Sequence, residues 1–177
     1  MERATSLPLG IVVERHRSRH PWQEFAWRPV AVIPGAGPTD GWRVLLENDD
    51  SARYHAATLP LELHHKFTEA YRINLANRVP AVYVALRPAD DGGAFPYRVF
   101  KATVAPFEAT DLQESGDDLV EAVPMPPELI SWVEAFVERH HVDERFRKRR
   151  RDAKAPEAAR PQPLVQPAHA RPGGRHG

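Results

Sequence analysis

Leu59-Pro60-Leu61-Glu62-Leu63-His64 places an apolar side chain at every odd position and a polar residue or proline at every even one. Period two is the spacing of a β-strand with one buried and one wet face. Residues 54–57 lead into this stretch, and runs of the same kind lie on both sides of it. Toward the N-terminus, Leu9, Ile11 and Val13 share one face of an extended segment that continues through Glu14 into Arg15, His16 and Arg17. Residues 25–33 and 42–46 are of strand length and rich in β-branched and aromatic side chains. Toward the C-terminus, Tyr71, Ile73 and Leu75 alternate with Arg72, Asn74 and Ala76, which predicts a further strand. Residues 81–86 are apolar on both parities, as in a strand covered on both faces, and are the candidate central strand. Asp90, Asp91, Gly92 and Gly93 tolerate the positive φ of a turn, so residues 97–104 read as the return strand of a hairpin.

After Pro106 the pattern changes. Residues 107–115 fit a short helix or an extended loop ended by Gly116, and residues 119–123 fit one last strand before Pro124-Met125-Pro126-Pro127. Residues 128–141 then read as an amphipathic helix. Leu129, Val133, Phe136 and Val137 form its apolar stripe, flanked by Ile130 and Trp132. Pro127 suits the first turn and Glu128 complements the helix dipole there. About seven short strands predict a mainly β (α+β) fold: an antiparallel sheet, curled into a barrel or folded as a sandwich, with the helix packed on its open face. Residues 1–152 form one domain. Residues 153–177 hold five Pro and three Gly with scattered Arg, Ala and Gln, too little apolar area to offset ordering entropy, which predicts a disordered tail.

The 177 residues carry 24 Lys plus Arg against 24 Asp plus Glu, a net charge of zero that conceals an asymmetry. Residues 1–144 hold 14 basic and 22 acidic side chains, net −8, and residues 145–177 hold 10 basic and 2 acidic, net +8. No cysteine is present, which excludes disulfides, thiolate metal sites and cysteine nucleophiles. Apolar runs such as residues 79–86 fall far short of the roughly 20 residues of a membrane helix. The apolar run at residues 7–13 is broken by Pro8 and Gly10 and does not resemble a signal peptide, so a cytoplasmic location is expected.

Candidate chemistry is sparse. Among the nine histidines, His64-His65, His140-His141, His16 and His20 would have to converge in space to bind a metal. Neighbouring residues diverge on a strand or helix, and solvated or locally bonded histidines account for them better. None of Ser6, Ser18, Ser51 and Ser115 sits in a nucleophile elbow. Glu114, Asp117, Asp118 and Glu121 read as a solvated acidic loop. Gly35-Ala36-Gly37 lies between two prolines and leads to another strand, whereas a phosphate cradle needs a following helix N-terminus. A pocket, if one exists, would draw on His64, Arg72 and Tyr83.

Two groups suit binding. Trp22, Phe25 and Trp27 with Arg28 form either a recognition surface or core aromatics capping one end of the sheet. Arg145, Arg147, Lys148, Arg149, Arg150 and Arg151 place six cations in seven residues, a segment for nucleic acid phosphates, anionic lipid or an acidic protein surface. The acidic body opposes a polyanion, so the arrangement favours a protein partner over nucleic acid.

Several strings resemble a small uncharacterised bacterial family whose members tend to be encoded beside formate dehydrogenase and molybdenum-cofactor genes. They are His20-Pro21-Trp22-Gln23, Trp27-Arg28-Pro29-Val30-Ala31-Val32-Ile33-Pro34-Gly35, Glu69-Ala70-Tyr71-Arg72-Ile73-Asn74-Leu75, Pro80-Ala81-Val82-Tyr83-Val84-Ala85-Leu86-Arg87-Pro88, Val123-Pro124-Met125-Pro126 and Phe146-Arg147-Lys148-Arg149-Arg150-Arg151. The likeness spans about residues 7–152. The missing catalytic motifs and the opposed charges point to a non-catalytic binding protein with no cofactor of its own. The likeness implies its context, an accessory role in maturation or assembly of a molybdenum-dependent formate dehydrogenase with its subunits or a maturation factor as partner. Some relatives carry a label implying molybdopterin-guanine dinucleotide synthesis, which would make the chain a cofactor-handling protein. The first strand here leads into His16-Arg17-Ser18-Arg19-His20-Pro21 without a glycine, so the close backbone approach to a pyrophosphate is lacking.

Overall fold

The computed structural model describes residues 3–154, with side chains described through His140. β1 (Ala4–Arg17), β2 (Phe25–Pro34), β3 (Arg43–Glu47) and β4 (Ser51–His64) form one antiparallel sheet in the order β2-β1-β4-β3. β5 (Ala81–Pro88), β6 (Tyr97–Thr103) and β7 (Leu119–Pro124) form a second, in the order β6-β5-β7. Among the described residues no strand pairing joins the sheets, so the barrel alternative gives way to two open sheets. They share one core. Leu9, Ile11 and Val13 of β1 meet Leu61 and Leu63 of β4, Val82, Val84 and Leu86 of β5, and the helical side chains described below.

The alternation at residues 59–64 holds: Leu61 and Leu63 are buried while Pro60 and Glu62 face outward. Pro60 sits opposite Pro8 of β1. Neither has an N–H, so this is a non-hydrogen-bonded position, where backbone groups point away from the partner strand. By the same parity the His64 N–H points to the outer edge, where it donates to the Tyr71 hydroxyl at 3.0 Å. Pro60 and Tyr71 thus remove two free donors from an edge that no strand covers. β5 is the central strand of its sheet, and the β5–β6 turn carries Gly92 at φ 69°.

Residues 71–76 are the main correction. They are not a strand: residues 71–75 belong to α1 (Thr68–Leu75), and Ala76 is its C-cap. Thr68, Tyr71 and Asn74 are its buried positions, spaced by three, whereas Ile73 is exposed. Asn74 explains the choice of helix over strand. Its Nδ2 donates to the carbonyls of Ala81 and Val104, both at 2.8 Å, and its Oδ1 accepts from the Ala81 N–H at 2.9 Å. One amide thereby ties α1 to the start of β5 and the end of β6, meeting backbone needs that would otherwise be buried unpaired.

Residues 107–115 resolve as a helix, α2 (Pro106–Glu114), with proline in its first turn. α3 (Pro127–Lys154) buries Leu129, Val133, Phe136 and Val137, the expected stripe, with Ile130 and Trp132 partly buried at its flank. Phe136 meets Tyr71 of α1 with ring centroids 6.2 Å apart. The backbone of α3 continues through the cationic segment. The disordered tail is expected from residue 153; residues 153–154 are instead the last of α3, and residues 155–177 lie outside the described residues.

Candidate functional site

Beyond its pairing with β3, β4 runs on as a free edge, and the edge of β6 lines the other side of a cleft of about 300 Å³. Pro60, Glu62 and His64 line it from β4, and Phe100, Lys101 and Thr103 from β6. Phe67, in the short turn before α1, and Glu108 of α2 complete the wall. The charges here are paired among themselves. Lys101 binds the Glu108 carboxylate, whose other oxygen accepts from the Thr103 hydroxyl at 3.2 Å. His64 Nε2 lies 3.6 Å from Glu62 Oε2. Tyr71 sits behind this wall, and burial pushes its phenol above the ordinary value. The cleft offers aromatic and aliphatic walls around the Lys101–Glu108 ion pair and the His64–Glu62 contact, a surface for binding.

On the other side of Phe100, the Arg87 guanidinium lies 3.4 Å from the ring centroid. Arg87 makes a bidentate pair with Asp118, Nε to Oδ1 at 2.9 Å and Nη2 to Oδ2 at 3.1 Å. These hydrogen bonds hold the Asp118 carboxyl below its usual range. Asp118, expected in a solvated acidic loop, has a side chain with no exposed surface.

A second cluster ties the two sheets together. Trp27 of β2, Trp42 before β3, Tyr54 of β4 and Phe95 of the β5–β6 turn hold every pair of ring centroids between 4.5 and 6.1 Å. Stacked and edge-on contacts fill the space between the rings.

The residues singled out in the sequence are dispersed. Trp27 lies in the four-ring cluster. Arg28, its neighbour on the strand, projects from the opposite face, 3.9 Å from Glu14, which also accepts from Arg53 at 3.0 Å. Trp22 is 79% exposed and stacks on His20 at 4.9 Å. Phe25 receives the Arg15 guanidinium on its face at 4.5 Å. Of His64, Arg72 and Tyr83, His64 lines the cleft, and Arg72 pairs with Glu69 at 3.2 Å. The histidines are spread out: His65 and His140 approach to 6.1 Å, and His16 lies beside Glu14. Among the described residues no group of three metal-ligating side chains converges.

Gly35-Ala36-Gly37 folds over the outer face of the first sheet. Gly35 N–H donates to the Pro8 carbonyl at 2.7 Å, and Thr58 donates to the Gly37 carbonyl at 2.7 Å. With its proton so used, the Thr58 hydroxyl accepts from His55 Nε2 at 2.8 Å, which fixes the buried His55 ring as the Nε2–H tautomer. Arg145, Arg147, Lys148, Arg149, Arg150 and Arg151 have their backbone on α3, and their side chains lie outside the described residues.

Of the cleft the sequence offers His64, and of the aromatic cluster Trp27; their partners come from segments far apart in the chain and carry no local signal. The chain belongs to a family described as a protein of unknown function (DUF3305), whose model matches residues 8–150. No curated protein and no solved structure matches it.

Proposed function

With membership of that family as the premise, we propose that this chain is a non-catalytic accessory protein that acts by binding another protein through the cationic end of α3. The observation that supports this most is the continuity of α3. One helix is anchored in the core by Leu129, Val133 and Phe136 and carries its backbone on through the segment with six cations to Lys154. Residues 141–154 add about 21 Å of helix at 1.5 Å per residue. They contain few apolar side chains, and a helix that is polar all round is suited to bridging to another body. The acidic body, net −8 over residues 1–144, turns the chain into a dipole that steers an acidic protein surface to that end. Exposed Trp22, with Arg28 on the outer sheet face, is the second candidate contact.

The resemblance supplies the partner: subunits or a maturation factor of a molybdenum-dependent formate dehydrogenase in the cytoplasm. Co-purification tests this. Replacing Arg145, Arg147, Lys148, Arg149, Arg150 and Arg151 together with Ala should abolish recovery of formate dehydrogenase subunits, and unchanged recovery would remove the docking claim.

The cleft favours a second reading, a cofactor-handling protein, because Phe67 and Phe100 could flank a planar ring beside His64 and Lys101. Titration of the purified chain with molybdopterin or guanine nucleotides would then saturate, whereas a docking module gives no saturable signal.

A further inference from the structure

β3 differs from every other strand in leaving all five of its residues exposed. Val44, Leu45 and Leu46 are 51%, 45% and 58% accessible, three consecutive apolar side chains at the outer edge of the first sheet. These three residues carry neither charge nor proline, two of the devices that blunt natural edges, and an exposed apolar edge is a template for another strand. The register with β4 shifts between Val44 and Leu46, a bulge that leaves Leu45 without a cross-strand partner there. Arg43 opens the strand and Glu47 closes it. Arg43 has no ion-pair partner among the described residues, and Glu47 is held by one long contact of 3.9 Å with Arg15.

The five-residue string Arg43-Val44-Leu45-Leu46-Glu47 is self-complementary when two copies run antiparallel about Leu45. In that register Arg43 of each copy faces Glu47 of the other, Val44 faces Leu46, and Leu45 faces its own counterpart. The apolar centre and both charged ends match at once. An antiparallel two-fold axis is also the commonest oligomer symmetry, with the same patch used on both sides. Pairing of this kind satisfies backbone groups across the edge and adds cross-strand side-chain contacts.

From this we infer that β3 is a self-association edge, and that its occupant is a second copy of this chain. The two four-stranded sheets become one eight-stranded sheet running through the interface. Ten strand residues make a small interface, so the dimer is weak, with dissociation on the order of tens of micromolar.

Sedimentation equilibrium of the full chain from about 5 to 500 μM brackets that range. A concentration-dependent dimer is expected. Arg43→Glu alone, or Glu47→Arg alone, sets like charges face to face twice and weakens it about tenfold. The double variant Arg43→Glu with Glu47→Arg restores the attraction and returns dissociation to within about threefold of the parent. All four positions involved in pairing beside Leu45 are exposed, so circular dichroism should show each variant folded. A chain that stays monomeric throughout, or a dimer that both single reversals leave unchanged, or a double variant no better than the singles, overturns the proposal.

Discussion

Replacing Asn74 with Asp changes one side-chain nitrogen to oxygen and leaves volume and shape almost unaltered. In the folded chain that nitrogen donates two hydrogen bonds of 2.8 Å, to the carbonyls of Ala81 and Val104, from a side chain with no exposed surface. The substitution removes both donors and turns an oxygen toward two carbonyl oxygens, while the bond from the Ala81 N–H at 2.9 Å survives. Leaving a buried polar group unpaired costs about 1–3 kcal/mol. Two such losses and the added repulsion give about 3–5 kcal/mol, a large part of the roughly 5–15 kcal/mol of a typical domain. Asn74→Ala loses all three bonds and some packing but introduces no repulsion, so a similar value of about 3–5 kcal/mol is expected. Urea unfolding followed by tryptophan fluorescence reads this as a fall in midpoint of about 2 M at an unchanged slope near 2 kcal/mol/M. A loss below about 1 kcal/mol for Asn74→Asp would refute the idea that hydrogen bonding, and not shape, fixes α1 against the second sheet.

Two further stability effects follow from single contacts. Asp118 titrates below its ordinary value of 3.8 because Arg87 binds its ionised form. Its stabilising contribution is therefore complete above the unfolded-state value and is lost as pH falls through the lower folded-state value. Asp118→Asn should lower stability by a constant amount above about pH 5 and converge on the parent in acid; melting curves from pH 2 to 7 that stay parallel would contradict it. At Gly10, an added Cβ would stand 2.8 Å from the Ala36 Cβ and 3.3 Å from that of Ile33. Gly10→Ala should cost about 1–3 kcal/mol by displacing the 35–37 loop, and adding Ala36→Gly should recover part of it in a double-mutant cycle; simple additivity would sink the clash as cause.

The fold was legible where burial enforces a strict period. Leu61 and Leu63, Leu9 and Ile11, and the stripe Leu129, Val133, Phe136 all have hydrophobic side chains at the positions that the core selects. α1 was misread for a related reason. Two of its three buried residues, Thr68 and Asn74, are polar, so the helical spacing carries almost no hydrophobic signal, while Tyr71, Ile73 and Leu75 alternate by coincidence over six residues. The division into two sheets depends on which edges remain unpaired, and nothing local in β4 says that it outruns β3. The cleft inherits that blindness. Trp27 had a local reading, either core or surface, but its partners Trp42, Tyr54 and Phe95 come from three separate segments and converge only in the folded chain. The six cations near residue 150 were visible as composition, whereas the continuation of α3 through them is a property of the backbone.

The docking of a protein partner by the cationic end of α3 is tested most directly by titrating the labelled chain with purified formate dehydrogenase. The parent is compared with the variant in which Arg145, Arg147, Lys148, Arg149, Arg150 and Arg151 are Ala. Saturable binding by the parent that weakens at least about tenfold in the variant, and that falls as salt rises from about 0.05 to 0.5 M, is the predicted result. Equal affinity for the two chains, or no binding by the parent, would contradict it.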